Sequence, residues 1–185
     1  MRVISGQAKG VRLKRVPGDT TRPIMDRVKE SLFNILGDVA GTRWLDLFAG
    51  TGQVGIEALS RGADSVVFTD TARTAIRTIQ ANLRQTKLAA AAEVIQVNAF
   101  RYLETFNGRC FDFIYVAPPQ YKGMWIETLQ RVDKRPYTYL TPQGFVIVQI
   151  DPKEYEQVSL TQLHLDDSRT YGNTQLCFYQ IKSDQ

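Results

Sequence analysis

Short apolar runs alternate with amphipathic segments along most of the chain, and this alternation predicts its secondary structure. Apolar runs predict strands at 44–48, 65–69, 94–97, 111–116, 145–150, 160–165 and 175–181. Apolar residues at helical spacing predict helices over 54–61, 72–87 and 124–135. Strands separated by helices are typical of a parallel sheet covered on both faces. We therefore predict a doubly wound α/β domain with an antiparallel hairpin of the last two strands at its edge.

The first 37 residues follow a different pattern. Residues 2–16 form short extended pieces interrupted by glycines, which predicts a hairpin. Residues 21–37 predict a helix with Pro23 in its first turn. The apolar face of this helix would carry Val28, Leu32, Ile35 and Leu36. We expect a small N-terminal extension, 1–37, ahead of the α/β domain, 38–185.

Composition places the chain among ordinary globular domains. Its 185 residues are 43% hydrophobic and 23% charged, which excludes intrinsic disorder and collagen-like repeats. No apolar run approaches the roughly 18 residues of a membrane helix, and the first residues lack a signal-peptide pattern. Cys110 and Cys177 are far apart and form no metal-type or redox pair. We expect a cytoplasmic protein without a membrane partner or a metal site.

The net charge of +4 is unevenly distributed. Residues 1–30 hold eight Lys and Arg residues against three acids, whereas 31–185 hold fifteen against sixteen. A basic arm beside a near-neutral domain suits a polyanion, because Lys and Arg contacts to phosphates release counterions. A solvated terminus explains the same charge equally well. Charge alone leaves both interpretations open.

A glycine-rich turn follows the first predicted strand. Gly50, Gly52 and Gly55 satisfy the dinucleotide pattern G-x-G-x-x-G, so an NAD-dependent oxidoreductase is one hypothesis. Asp46, four residues before Gly50, is poorly placed for a pyrophosphate and well placed for an ammonium group. A ligand with both ammonium and carboxylate groups, such as the methionine part of S-adenosylmethionine, would suit an acid followed by N–H donors.

Polar residues also end the second and third predicted strands. Asp70 can accept hydrogen bonds from ribose hydroxyls, or it can cap the following helix. Asn98 and Ala99 are placed to hydrogen-bond an adenine edge. Because the carboxyl ends of parallel strands meet at one edge of a sheet, these residues predict a nucleotide-type ligand there.

The loop after the fourth predicted strand reads Ala117-Pro118-Pro119-Gln120-Tyr121. Two consecutive prolines fix the backbone and remove two N–H donors, which leaves carbonyl oxygens to face a ligand. This suits a pocket in which a planar amine donates to the Pro118 carbonyl, with Tyr121 as a stacking surface. A rigid strand exit, with Tyr121 as packing, is the alternative interpretation.

Several stretches of the chain carry a resemblance to a known family. Residues 2–13 read RVISGQAKGVRL, 21–36 read TRPIMDRVKESLFNIL, and 45–63 contain LDLFAGTG followed by GIEALSRGA. These stretches, with a weaker YGNT at 171–174, resemble the bacterial 16S rRNA guanine-N2 methyltransferases of the RsmD type. The resemblance covers essentially the whole chain. The R-P-x-x-D-R-V-K-E stretch is much more specific than the glycine turn.

The resemblance implies a seven-stranded class I methyltransferase fold and an enzyme acting on small-subunit rRNA. A methyl group would pass from S-adenosylmethionine to the exocyclic N2 amine of a guanine. The implied cofactor-binding residues are Asp46, Phe48, Ala49, Gly50, Thr51, Gly52, Asp70, Thr71, Asn98 and Ala99. The implied RNA-binding residues are Arg2, Lys9, Arg12, Lys14, Arg15, Arg22 and Arg27. We expect a monomer that acts on 16S rRNA, either naked or within the small ribosomal subunit.

One loop departs from the family pattern, which usually reads Asp or Asn, Pro, Pro, then Phe or Tyr. Here Ala117 and Gln120 replace the side-chain acceptor and the aromatic ring. Methyl transfer depends largely on placing the nitrogen in line with the sulfonium methyl. The Pro118 carbonyl and the Tyr121 ring would then complete a catalytic loop of Ala117, Pro118, Pro119, Gln120 and Tyr121. The alternative is a non-catalytic RNA-binding or ribosome-assembly protein that keeps the cofactor fold.

Overall fold

The computed structural model describes residues 1–18 and 23–183. The chain forms two compact units, Met1–Ala99 and Phe100–Gln185. No helix in the described ranges is long and apolar enough to span a bilayer.

The first unit is a parallel sheet with helices. Its elements are α1 (Asp26–Leu36), β1 (Arg43–Asp46), α2 (Gln53–Ser60), β2 (Ser65–Asp70), α3 (Arg73–Thr86), a 3₁₀ turn (Ala89–Ala91) and β3 (Ala92–Gln96). The strands lie in the order β3-β2-β1, with Trp44 opposite Val66 and Phe68 opposite Val94. Trp44 and Phe68 are fully buried, because helices cover the strands as their continuous apolar runs predict.

The N-terminal residues pack against α2 and α3 within this unit. The predicted hairpin is reduced to one antiparallel bridge between Arg2 and Arg12. At Gly6 the backbone has a φ of +80°, and an added Cβ would lie 1.7 Å from the Ser60 carbonyl oxygen. Only glycine permits this close approach to α2. We predict an RNA-binding extension, 1–37, and a methyltransferase domain, 38–185. This division of function stays a prediction.

Helix α1 begins later than predicted and buries a different face. It begins at Asp26, so Pro23 lies ahead of the helix and not in its first turn. Its buried residues are Val28, Lys29, Leu32 and Phe33. Ile35, predicted to face the core, is 40% exposed. The apolar pattern misplaced this face because it counts lysine as polar, whereas Lys29 is buried with an ionic partner.

The second unit is a mixed sheet. Its elements are α4 (Ala99–Thr105), β4 (Phe111–Val116), α5 (Met124–Lys134), α6 (Pro136–Tyr139), β5 (Leu140–Ile150), a 3₁₀ turn (Pro152–Glu154), β6 (Leu163–Tyr171) and β7 (Thr174–Ile181). The strands lie in the order β4-β5-β7-β6. β4 and β5 are parallel, and β7 pairs antiparallel with both β5 and β6. The predicted antiparallel edge hairpin is confirmed, but its first strand, predicted at 160–165, lies at Leu163–Tyr171, because the mostly polar residues 167–171 pair with β7 and carry no apolar signal.

Two features of this unit escaped the apolar pattern. β5 begins at Leu140 and not at Phe145, because a register shift opposite Phe111 and Phe113 accommodates the turn-like residues 141–144, Thr-Pro-Gln-Gly, within the strand. The helices α4 and α6 are too short to show a helical period. Neither difference alters the strand order.

Candidate functional site

The turn between β1 and α2 is shaped by glycines with different tasks. Gly50 and Gly52 have φ values of +54° and +75°, which side chains with a Cβ rarely adopt. A Cβ on Gly50 would meet no atom within 4 Å, so open space lies beside the turn. At Gly55 a Cβ would lie 2.3 Å from the Phe68 ring. The first two glycines set the course of the turn, and the third allows α2 to lie against β2.

The N–H groups of the same glycines are used inside the protein. Gly50 donates to Asp70 Oδ2 at 2.9 Å, Gly52 to the Ala49 carbonyl at 2.7 Å, and Gly55 to Asp46 Oδ2 at 3.3 Å. The sequence pattern offered such donors to an anion. The structure instead uses these three to hold the turn in place.

Asp46 is a buried carboxyl group at the end of β1. It is 2% exposed, and the described residues contribute the Gly55 N–H as its hydrogen-bond donor. The pKa of Asp46 is raised to about 7, chiefly by burial and also by the nearby charge of Asp70, against the opposing effect of the Gly55 hydrogen bond. A cationic ligand would favour the ionised form. The site therefore suits a positively charged group.

Asp70 links the glycine turn to the start of α3. Its Oδ2 accepts from Gly50 and its Oδ1 accepts from the Ala72 N–H, each at 2.9 Å. The sequence left a ribose contact and a helix cap as alternatives, and the carboxylate does take the neighbouring backbone donors. A carboxylate offers about four acceptor positions, so ribose hydroxyls can still bind the same group.

The remaining predicted cofactor residues lie in the same unit, at the ends of its three strands. Phe48 is half-buried, Ala49, Thr51 and Ala99 are buried, and Thr71 and Asn98 are exposed. The Val97 N–H donates to the Asp70 carbonyl at 3.0 Å, which ties the end of β3 to the end of β2. The structure thus brings the predicted polar residues to one edge of the parallel sheet.

Two buried amides near the turn were not predicted. Asn82 is fully buried on α3, and its Nδ2 donates to the carbonyls of Thr51 and Lys14 at 3.0 and 3.1 Å. A single asparagine among the apolar positions of α3 was the available signal. Gln53, the first residue of α2, is 5% exposed, and its Oε1 has no partner in the described part of the chain. Gln53 is a free acceptor at the start of this helix.

A buried ionic cluster holds the N-terminal segment on α2. Glu57 is fully buried and accepts from the N–H groups of Ile4 and Ser5 at 2.8 and 3.0 Å. The Lys29 Nζ lies 3.3 Å from Glu57 and the Arg61 Nε lies 2.9 Å from it. Burial lowers the pKa of Lys29, while Glu57 opposes this change. Lys29 therefore serves packing and adds nothing to the surface charge.

The other basic residues of the segment present their side chains to solvent. Those exposed are Arg2, Lys9, Arg12, Lys14, Arg15 and Arg27, while Arg22 lies outside the described residues. The backbone beneath them is fixed, since Lys14 N–H donates to Asn82 Oδ1 at 2.8 Å. The segment presents exposed cations on a fixed backbone.

The proline loop, Ala117 to Tyr121, belongs to the second unit. Pro118 is buried, whereas Pro119, Gln120 and Tyr121 are exposed. Tyr121 is 64% exposed, and its φ of +59° is uncommon for a side chain with a Cβ. Its N–H donates to the carboxylate of Glu154, which belongs to the 3₁₀ turn after β5. Glu154 therefore holds the end of the loop that carries the aromatic ring.

Glu154 is itself held by a capping box. The Asp151 Oδ1 accepts from the Lys153 N–H at 2.9 Å, and the Glu154 Oε2 accepts from the Asp151 N–H at 3.4 Å. Within the described ranges, no group of three His, Cys, Asp or Glu side chains could hold a metal ion. The loop thus offers carbonyl oxygens and an exposed ring, stabilised by acidic side chains.

A family model described as Conserved hypothetical protein 95 matches residues 1–180. The chain belongs to this family. YlbH of Bacillus subtilis, which carries the name of an rRNA methyltransferase, is 39% identical over 183 residues, covering 97% of this chain and 98% of YlbH. Ribosomal RNA small subunit methyltransferase D of Escherichia coli K12 is 35% identical over 134 residues, covering 72% of this chain and 67% of that protein. The resemblance to the RsmD type is confirmed.

Solved structures show the fold of the family. The Escherichia coli protein yhhF, described as a methyltransferase, superposes with a TM-score of 0.83 at 30% identity, covering 100% of this chain and 99% of that one. An RNA methyltransferase from Salinibacter ruber, solved with S-adenosyl-L-homocysteine, matches at 15% identity with a TM-score of 0.65, covering 89% of this chain and 96% of that one. The predicted class I methyltransferase fold, with seven strands in the described residues, is confirmed.

Proposed function

We propose that this protein is an S-adenosylmethionine-dependent methyltransferase that modifies the exocyclic N2 amine of a guanine in small-subunit rRNA. The observation that carries the proposal is Asp46, a buried carboxyl group with a pKa of about 7 beside an open glycine turn. A buried acid of this kind suits a cationic ligand, and a nicotinamide pyrophosphate would find a repelling charge there. The names of the relatives support the same activity.

The residues of the first unit fit S-adenosylmethionine. Asp46 would hold the ammonium group, Asp70 the ribose hydroxyls, and Asn98 with Ala99 the adenine edge. The unpartnered Gln53 Oε1 supplies one more buried acceptor for a polar ligand group. Gly50 leaves room for the ligand where a Cβ would project. The further members of this set are Phe48, Ala49, Thr51, Gly52 and Thr71.

The chemistry assigns different tasks to cofactor and protein. When bound, S-adenosylmethionine would supply an electrophilic methyl group and would leave as S-adenosylhomocysteine, while the methylated amine would release one proton to solvent. The Pro118 carbonyl would accept a hydrogen bond from the target amine and so orient the nitrogen for in-line attack. The exposed Tyr121 ring offers a stacking face to the base, which must leave a helical stack to reach such a loop. Ala117, Pro119 and Gln120 complete the loop and contribute no ionisable group.

The exposed cations of the N-terminal segment would bind RNA phosphates. The segment carries Arg12, Lys14 and Arg15 on a backbone fixed by Asn82 and Gln85. Replacing these three cations should weaken RNA binding and flatten its salt dependence by roughly one slope unit per lost phosphate contact. An unchanged slope would exclude phosphate binding by this segment. We place the enzyme in the cytoplasm, as a monomer, where ribosomal subunits assemble.

The decisive experiment follows labelled methyl groups from S-adenosylmethionine into RNA. Naked 16S rRNA and small subunits lacking the modification serve as parallel substrates, and the labelled nucleotide is mapped. We expect guanine N2 labelling in one of them. Absence of label from both, with S-adenosylhomocysteine bound in a calorimetric control, would refute the activity. The same calorimetry with NAD should show no binding.

A second candidate function is a non-catalytic RNA-binding or assembly protein, which Ala117 and Gln120 favour. The double variant Ala117→Asp, Gln120→Tyr restores the usual family loop. If the natural chain already transfers methyl groups and the double variant changes this activity only modestly, the protein is an enzyme. Activity that appears only in the double variant would show that the natural chain binds without transferring.

A further inference from the structure

Helix α3 carries three arginines on one face, and a lysine follows its last residue. Residues 71–92 contain Arg73, Arg77, Arg84 and Lys87 and no Asp or Glu. At about 100° per residue the three arginines fall within an arc of roughly 40°, and Lys87 ends the helix with a φ of +61°. All four are exposed, and the salt bridges found among the described residues involve none of them. We call these four residues the α3 stripe.

The stripe is unfavourable for the helix that carries it. Like charges four residues apart, as at Arg73 and Arg77, repel each other on a helix surface. Arg73 also lies in the first turn, which has no acidic residue and where the helix dipole disfavours a cation. The contrast with α5 is clear, because its Arg131 binds Glu127 at 2.7 Å. The cost falls on the N-terminal half of α3, because Arg84 lies in the last turn, where the dipole favours a cation. Exposed arginines with no acidic neighbour on their helix suit an external anion.

The stripe lies beside the basic N-terminal segment in the same unit. Gln85 Nε2, next to the stripe on α3, donates to the Arg12 carbonyl at 2.8 Å. The Asn82 amide binds both the N–H and the carbonyl of Lys14. These contacts hold the exposed side chains of Arg12, Lys14 and Arg15 along the C-terminal half of α3. Both sets of cations therefore belong to elements that are packed against each other in the first unit.

We propose that the α3 stripe binds the phosphate backbone of the substrate RNA, as an extension of the N-terminal surface. The proposal rests on the proposed function for the identity of the RNA. Three of its four cations are arginines, whose planar guanidinium groups bind phosphate oxygens in pairs. The exposed residues between them, Thr74 and Gln80, offer no apolar side chain for insertion into a membrane. RNA is therefore the polyanion that this surface fits.

The position of the stripe defines its role. Arg73 follows directly after Ala72, whose N–H binds Asp70 at the candidate cofactor site. The stripe starts at the rim of that site, and its arginines run along α3 for about 17 Å, at 1.5 Å per residue. It would hold RNA backbone outside the pocket and would leave recognition of the base to other residues.

The test compares three double variants. Arg77→Gln, Arg84→Gln removes the middle of the stripe and avoids the neighbourhood of Asp70. Arg77→Lys, Arg84→Lys keeps the charge. Arg109→Gln, Lys134→Gln removes the same charge from exposed positions of the second unit. Binding of 16S rRNA is titrated between about 0.05 and 0.3 M KCl, and S-adenosylhomocysteine binding confirms that each variant is folded.

We expect the glutamine variant of the stripe to lower the salt slope by about two and to weaken binding roughly eightfold per lost contact at 0.1 M salt. The lysine variant should keep the slope, and the control in the second unit should change little. An unchanged slope in the glutamine variant, or an equal loss in the control, would overturn the proposal. It would also be overturned if the wild type bound phosphatidylserine vesicles and the glutamine variant lost that binding while its RNA binding persisted.

The outcomes separate this inference from the proposed function. A wild-type chain that binds 16S rRNA through the stripe without transferring methyl groups refutes the activity and supports the stripe. If the protein methylates RNA and the glutamine variant binds RNA as well as the wild type, the activity is supported and the role of the stripe is refuted.

Discussion

The glycine turn after β1 and the proline loop after β4 both follow parallel strands, yet they are held in opposite ways. In the glycine turn, backbone N–H groups of Gly50, Gly52 and Gly55 donate to acceptors of the same unit. The proline loop lacks two such donors, and Glu154, 33 residues away, holds its far end through Tyr121. The glycine turn can be identified from local sequence, because Asp46 and the glycines lie within ten residues, although Asp70, 20 residues away, also holds it. The proline loop itself contains no acid, so the acid that holds it cannot be identified in this way.

We expect the largest effect when the charge of Asp46, the acid of the glycine turn, is removed. Asp46→Asn keeps the shape and removes the charge, so binding of S-adenosylhomocysteine should weaken by about 2–5 kcal/mol, as for a buried charge pair that loses one partner. Calorimetry measures this directly. The matched control is Asp64→Asn, an exposed acid in the same unit, which should leave the affinity unchanged. Equal affinities for wild type and Asp46→Asn would contradict the assigned role.

The same carboxyl group should make stability depend on pH. Burial raises the pKa of Asp46 from its ordinary value of 3.8 to about 7, so the folded state binds its proton more tightly than the unfolded state. Stability from this group is fully present below about pH 4 and is lost as the pH rises to about 7, by at most about 4 kcal/mol. Urea unfolding across this range checks the trend. Asp46→Asn should abolish this component, and an identical pH profile in the variant would exclude Asp46 as its source.

Gly55→Ala tests whether packing under the turn requires a glycine. The added Cβ would lie 2.3 Å from the Phe68 ring, so the variant should lose about 1–3 kcal/mol of unfolding free energy. Denaturant unfolding measures the loss. Adding Phe68→Leu removes the ring, and the double variant should lose less than the two single effects combined. Strict additivity would show that the ring is not the obstacle.

We expect the smallest effect from a substitution that loosens the proline loop. Glu154→Gln weakens the acceptor for the Tyr121 N–H, so the kcat of methyl transfer should fall roughly tenfold, about 1.4 kcal/mol in the barrier. S-adenosylhomocysteine affinity should stay unchanged, since the cofactor residues belong to the first unit. Glu156→Gln, an exposed neighbour, is the control. A loss of cofactor affinity without a loss of kcat would reverse the proposed division of tasks.

The contrast between the two loops also explains which predictions were confirmed. The pattern of short apolar strands predicted the α/β architecture, because burial on both faces leaves a local imprint on each strand. It placed β4 at Phe111–Val116 and anticipated the β6–β7 hairpin. It missed the bulged start of β5, where turn-like residues lie inside a strand.

In the candidate site, too, some residues have a local sequence signal and others do not. The glycine turn and Asp46 were identifiable because a strand, an acid and closely spaced glycines lie within ten residues of one another. The contacts of Asn82 were not, since its partner Lys14 lies 68 residues away along the chain. The α3 stripe was overlooked because the average charge of residues 31–185, fifteen cations against sixteen acids, conceals four cations without an acid in residues 71–92. The structure added that these cations are exposed and that the salt bridges of the described residues involve none of them.

The sequence by itself determined the strands and helices, the glycine turn, the family and the excess of basic residues near the N-terminus. Only the tertiary structure decided that Lys29 is buried with Glu57, that Asp70 binds two backbone donors, and that the N-terminal segment packs against α3. The reason is physical. Backbone preference and apolar period act over a few neighbouring residues, whereas ion pairs and surfaces join groups that meet only when the chain has folded.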